Sequence, residues 1–221
     1  MEGTFIRVLQ RTHLLQQMLH DTADHTLANG TQRLRVGAIG ANLAMDHWLA
    51  VTTLMESGNF ASAIALVRLQ YESLLRSVWC LHCATDAQID MISESLSEES
   101  QQAAKRLPTA TGMLEALANV PQVGNLCVRL DEFRHYAWGP LNSFIHAGLH
   151  PLVRQAEGYP VGLLLQIARA SNGLGVLIAM QQVILADRGD LQKAILARCG
   201  AFADCLPPER EPETRPPAQS V

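Results

Sequence analysis

Two short stretches carry residue types at spacings that could do chemistry. In "RLQYESLLR", Arg68, Glu72 and Arg76 follow one another at four-residue intervals. On a helix they share one stripe, and Glu72 before Arg76 is the favourable order for an ion pair. The surrounding positions are apolar: Ile64, Leu66, Val67, Leu69, Leu74, Leu75, Val78 and Trp79. The stripe is therefore either a solvated outer face with weak surface pairs or a polar seam inside a bundle, where charge has to be paired. In "WGPLNSFIHAGLHP", residues 138–151, Asn142, His146 and His150 stand four apart, with Ser143 three before His146. If the helix continues, one face carries all four. A histidine there can act as acid or base near neutral pH, although a lone helical histidine is also commonly a hydrogen-bonded structural residue. His146, with Asn142 beside it, is the catalytic candidate. Arg68, Glu72, Arg76 and Ser143 are the ligand-binding candidates.

The elements that must position these groups read as helices throughout. Period-3.6 patterns recur along the chain, and no stretch alternates strictly enough for a strand. Phe5, Val8, Leu9, Leu15 and Leu19 mark a first helix ending near Asn29-Gly30. A second is predicted over 31–56, closed by "SGN" at 57–59, and a third from Phe60 through "ASAIALVRLQYESLLRSVWCLHCA". The polar "SESLSEESQQAAKRLP" is broken and ends at Pro108. A further helix from about Val123 leads into Gly139-Pro140. Proline suits the first position of a helix, so "PLNSFIHA" is predicted to begin a new short one. Gly148 then suits its end, with His150-Pro151 leading away. A long helix over 160–186 follows, weakened by "SNGLG" at 171–175, and a last one over 191–205. The expected fold is all-α: an up-and-down bundle of long helices with short additional ones, one domain over 1–205. The Pro-rich end, 206–221, lacks a large apolar residue after Leu206 until Val221 and is predicted to be a disordered tail.

Composition narrows the function classes. Among 221 residues, 17% are charged and 48% apolar. A chain so poor in charge is expected to hide surface against a second copy, as a two-fold dimer. The net charge of −4 argues against a broad phosphate-tracking groove. The two most apolar stretches are interrupted by Asp46 and His47 in one and by Arg169 in the other, so they read as core helices, with no membrane partner. Arg7, Arg11 and His13 in the first segment do not fit a secretory signal, and a cytoplasmic location is expected. Five cysteines without a secretory context read as free thiols. Cys80 and Cys83 form a CxxC, but no second pair exists to complete a zinc site, so packing is expected. No phosphate loop, nucleophile elbow or HExxH occurs, and no cofactor or metal is expected.

"RLQYES", 68–73, followed much later by "LNSFIHAG", 141–148, resembles the HEPN superfamily, in particular its uncharacterised bacterial branch with an R-x-x-[YF]-E helix and a later [SN]-x-x-H helix. The resemblance covers roughly 31–186. It implies an α-helical bundle, usually a dimer. Many such proteins are metal-independent ribonucleases of toxin–antitoxin and phage-defence systems, in which an Arg-polar-x-x-x-His motif faces its symmetry mate. Aligned on His146, that motif has Asn142 at the polar position but Leu141 where the arginine belongs. Leucine can neither hold a phosphate nor stabilise developing charge. The expectation is therefore a HEPN-like binding or interaction protein, with RNA or a protein as partner, and Arg68, Glu72 and His146 forming one polar pocket. The alternatives are a divergent ribonuclease using His146 as acid/base, and a structural subunit of a helical complex.

Overall fold

A computed structural model describes residues 2–23 and 30–208, with the side chain of Glu2 left out. Among these residues every regular element is helical. The α-helices are α1 (Glu2–Ala23), α2 (Gln32–Glu56), α3 (Phe60–His82), α4 (Asp86–Ser93), α5 (Glu98–Ala104), α6 (Ala110–Leu117), α7 (Gly124–Ile145), α8 (Leu149–Glu157), α9 (Val161–Leu185) and α10 (Gln192–Cys199). The all-α class read from the periodicity is what the chain adopts.

Local chemistry sets the ends of the long helices. Thr31 caps α2 by accepting from the Leu34 amide, and Thr85 and Gln88 close a reciprocal capping box on α4. Between α2 and α3 the chain reverses over Ser57, Gly58 and Asn59, so the two helices lie antiparallel and make the most extensive pairing in the molecule. α9 packs across both, α1 covers α9, and α7 with α6 covers the other side of α3. α3 is thus the central helix. Its buried residues run from Ala63 to Cys80 and include Ile64, Val67, Tyr71, Leu74, Leu75 and Val78. One core cluster extends from Phe5 on α1 to Cys205.

α9 is apolar and long enough to cross a membrane by length and composition, but it packs against α1, α2 and α3. Its "SNGLG" segment does not break the helix. A Cβ on Gly175 would fall 2.5 Å from the Trp48 ring, so glycine is what allows α9 to approach α2 there. The helical cost of glycine is about 1 kcal/mol, set against burial of a whole indole.

Four expectations need correcting. Pro140 does not start a helix but lies inside α7. Gly139, Pro140 and Tyr136 are all exposed, so the carbonyl released by the missing N–H is on the watered side of the helix. His150-Pro151 does not lead away either: both belong to the first turn of α8, where a missing amide hydrogen leaves no bond unmade. The last predicted helix is shorter, with α10 ending at Cys199 and a 3-10 turn over Gly200–Phe202. Leu206 of the predicted tail packs on the core, and Pro207 lies against Gly173. Residues 209–221, and Asn29 at the predicted end of the first helix, lie outside the described residues.

Candidate functional site

The R-x-x-Y-E and N-x-x-x-H segments lie on helices that touch. α3 and α7 pack together, and Arg68 of α3 hydrogen-bonds the side-chain oxygen of Asn142 on α7 through Nη1. Its Nε donates to Glu72 Oε1 at 3.0 Å, one turn on. Its guanidinium lies 4.1 Å from the centroid of Trp138, one turn before Asn142 on α7. The Arg68 side chain is 14% exposed and that of Glu72 33%. Of the two readings left open by the sequence, the polar seam describes Arg68 and Glu72: the cation is largely desolvated, and it is paired, hydrogen-bonded and stacked.

Behind this cluster is an aromatic layer. Tyr71 is fully buried, stacks on Phe133 with centroids 5.1 Å apart, and meets Trp138 edge-on at 6.0 Å. Its hydroxyl finds no hydrogen-bond partner among the described residues, and burial pushes its pKa well above the usual phenol range. Tyr71 is thus a packing residue with a stranded donor, neutral throughout ordinary pH. Trp138 was legible only as part of the quoted stretch. The signal that could have singled it out is its i,i+4 relation to Asn142, matching that of Arg68 to Glu72.

The other candidates do not all join. Arg76 is half-buried but makes no hydrogen bond or ion pair among the described residues. His146 is the C-cap of α7; its amide donates to the Asn142 carbonyl, while its ring is exposed and bonds neither Arg68 nor Glu72. The expected three-residue pocket is therefore a cluster of Arg68, Glu72, Asn142 and Trp138, with His146 one turn beyond it. Leu141 is 2% exposed and belongs to the core. The place where a ribonuclease motif needs arginine is a packing position of this bundle.

Ser143 serves the turn after α7. Ala147 adopts φ +50° and the Gly148 amide donates to the Ser143 carbonyl at 2.8 Å, the bonding of a left-handed helix end. Ser143 Oγ then accepts from the His150 amide at 3.1 Å, capping the first turn of α8. A Cβ on Gly148 would come 2.7 Å from that Oγ, so the close turn depends on glycine. His150 is exposed on α8, off the line of Asn142 and His146. The stretch that looked like one site face is two helix ends joined by Ser143.

Cys80 is buried in the core and its thiol is pushed up to about 11, chiefly by burial. Cys83 caps the end of α3, half-buried, with its thiol also raised by burial. Among the described residues no group of three or more His, Cys, Asp or Glu is placed to hold a metal ion.

Sequence reasoning passed over a second polar cluster. Gln70, fully buried, donates to the Ser171 carbonyl at 2.9 Å and accepts from Ser171 Oγ at 2.7 Å. Asn172 accepts from Trp48 Nε1 at 3.0 Å and donates to Thr12 Oγ1 at 2.7 Å and to the Cys205 carbonyl at 2.9 Å. These bonds tie α1, α2, α3, α9 and the C-terminal turn together with neutral groups. The gap beside Thr12, Ser171 and Asn172 has no room for a water molecule, and their chemistry is that of a buried brace.

Comparison with curated proteins and with solved structures finds no match. Residues 41–208 match the family of unknown function DUF6988, a span that contains α3, α7 and every residue of the Arg68 cluster, and the chain belongs to that family.

Proposed function

We propose that the protein is a HEPN-like helical binding module, acting through the polar cluster at the α3–α7 seam, and that His146 does not cleave RNA. The observation that carries this reading is the Arg68–Asn142 bond, which joins the two segments bearing the resemblance into one half-buried cluster. Among the described residues the second carboxylate oxygen of Glu72 takes no hydrogen bond, and Asn142 is exposed with its amide nitrogen uncommitted. The cluster can therefore offer an acceptor and a donor to a polar group, beside the indole on which Arg68 stacks. Recognition at such a site is by a few placed polar groups over an apolar floor.

The ribonuclease reading has less support. A general base needs a group that fixes its ring, and no described residue bonds that of His146. Arg68, the nearest replacement for the missing motif arginine, is committed to Glu72, Asn142 and Trp138.

The test incubates the purified chain with mixed-sequence single-stranded RNA in the presence of a chelator, and separately follows RNA binding by anisotropy. The proposal expects intact RNA, and any binding weakened by Asn142→Ala but indifferent to His146→Ala. RNA fragments that vanish in His146→Ala would overturn it in favour of the ribonuclease.

A further inference from the structure

We propose that the outer face of α2 is the seat of a second copy of this chain, the two α2 helices pairing antiparallel about a two-fold axis between residues 40 and 41. On α2, Arg35, Ile39, Asn42, Leu43, Asp46 and Leu49 are all exposed. Offsets of four, eight and eleven residues from Arg35 return to nearly the same side of a helix, so Arg35, Ile39, Leu43 and Asp46 form one stripe along it. Ile39 is 68% exposed and Leu43 48%, large apolar side chains next to each other on a helix whose opposite face, at Ala41, Ala44, Trp48 and Val51, is core.

What selects the occupant is the charge at the two ends of that stripe. Arg35 bonds the Gly30 carbonyl at 2.6 Å but has no carboxylate partner among the described residues, and Asp46 makes no ion pair or hydrogen bond among them. The histidine beside Asp46, His47, has its pKa lowered by burial and does not neutralise it at pH 7. The two charges are opposite, eleven residues and about 16 Å apart, with the apolar pair between them. Such an arrangement is complementary to its own reverse. In an antiparallel two-fold pair Arg35 of each copy meets Asp46 of the other, while Ile39 and Leu43 of the two copies interleave at the centre. Isologous contacts of this kind close on themselves and stop at two copies. The exposed apolar face of α8, at Leu149 and Leu152, lacks this signature, because Arg154 is already paired with Glu157 in the same helix at 2.8 Å.

The experiment is sedimentation equilibrium of the full chain, from micromolar to sub-millimolar concentration, at low and moderate salt. The expected result is a monomer–dimer equilibrium that weakens with salt. Ile39→Glu raises the dissociation constant at least about tenfold, since an unpaired charge would be buried at the centre. Asp46→Arg alone sets like charges against each other and does the same. Combining Arg35→Asp with Asp46→Arg in one chain restores both pairs and recovers dimerisation, which a merely misfolded single variant would not do. Matching far-UV spectra and melting curves show that the monomeric variants remain folded. A wild-type chain that stays monomeric throughout, a dimer indifferent to Ile39→Glu and Asp46→Arg, or a double reversal as weak as the single one would each overturn the proposal.

Discussion

Arg68 and Gln70 stand two residues apart on α3 and lead into two polar clusters on different sides of the same helix. Gln70 faces α9, where Ser171 matches its amide group for group in the dry interior. Arg68 faces α7, where an ion pair, an amide and an indole surround a cation that keeps some access to water. In the first cluster all principal groups are neutral and mutually satisfied. In the second, polar capacity is left over at Glu72 and Asn142. The difference teaches how to separate a brace from a site inside one bundle: the brace has its donors and acceptors filled and no charge, while the site retains charge and unfilled groups at an accessible edge.

That contrast can be broken most forcefully at the brace. Asn172→Ala leaves Trp48 Nε1, Thr12 Oγ1 and the Cys205 carbonyl without their buried partner, so a loss on the order of 3 kcal/mol or more is expected in urea unfolding. A loss below that of Arg68→Ala would reverse the roles assigned to the two clusters. Arg68→Ala removes a stacked cation and two bonds from a seam that water can reach, and Glu72 is exposed enough to be rehydrated. The expected cost is about 1–2 kcal/mol. Ser143→Ala removes the cap of α8, a helix with no buried residue, and should cost about 1 kcal/mol. The readout is faster amide exchange at residues 149–157 with the rest of the bundle unchanged.

A smaller effect tests burial at the end of α3. His82 has its pKa lowered by burial, and its Nε2 finds no partner among the described residues. The unfolded chain therefore takes up a proton at a higher pH than the folded one. Stability from this group is complete above the ordinary histidine value of 6.5 and is lost as pH falls through that value toward the lowered folded pKa. Melting temperature should drop between pH 7.5 and pH 5, and His82→Leu should shallow that drop. An unchanged slope would place the proton uptake elsewhere, His47 being the other histidine shifted the same way.

Much of the frame was legible because it rests on local rules. Thr31 at the start of α2, the break at Ser57-Gly58-Asn59 and the continuous apolar period of α3 need no distant partner to be read. The misreading at Pro140 has a physical source. A proline in the first turn and a proline on the watered side of a long helix look the same in sequence, because both leave their missing hydrogen bond harmless. α8 was missed for a related reason, since Pro151 signals a stop unless the turn before it is capped from Ser143 seven residues upstream of the amide it holds. "SNGLG" looked like a weak point because the gain is elsewhere in the chain: Gly175 is fitted to Trp48, and Asn172 to Thr12. At the candidate site the four-residue spacings correctly put Arg68 with Glu72 and drew attention to Asn142. The helix end that leaves His146 outside depends on Ala147 entering the left-handed region, for which the sequence carries no glycine at that position.

A double-mutant cycle on unfolding free energy tests most directly whether the seam is organised around Asn142 or around His146. Arg68→Ala is combined with Asn142→Ala in one cycle and with His146→Ala in a second. The structure predicts a coupling of about 1 kcal/mol between Arg68 and Asn142 and additivity within about 0.5 kcal/mol between Arg68 and His146. Coupling to His146 equal to or larger than that to Asn142 would contradict the assignment and return the histidine to the site.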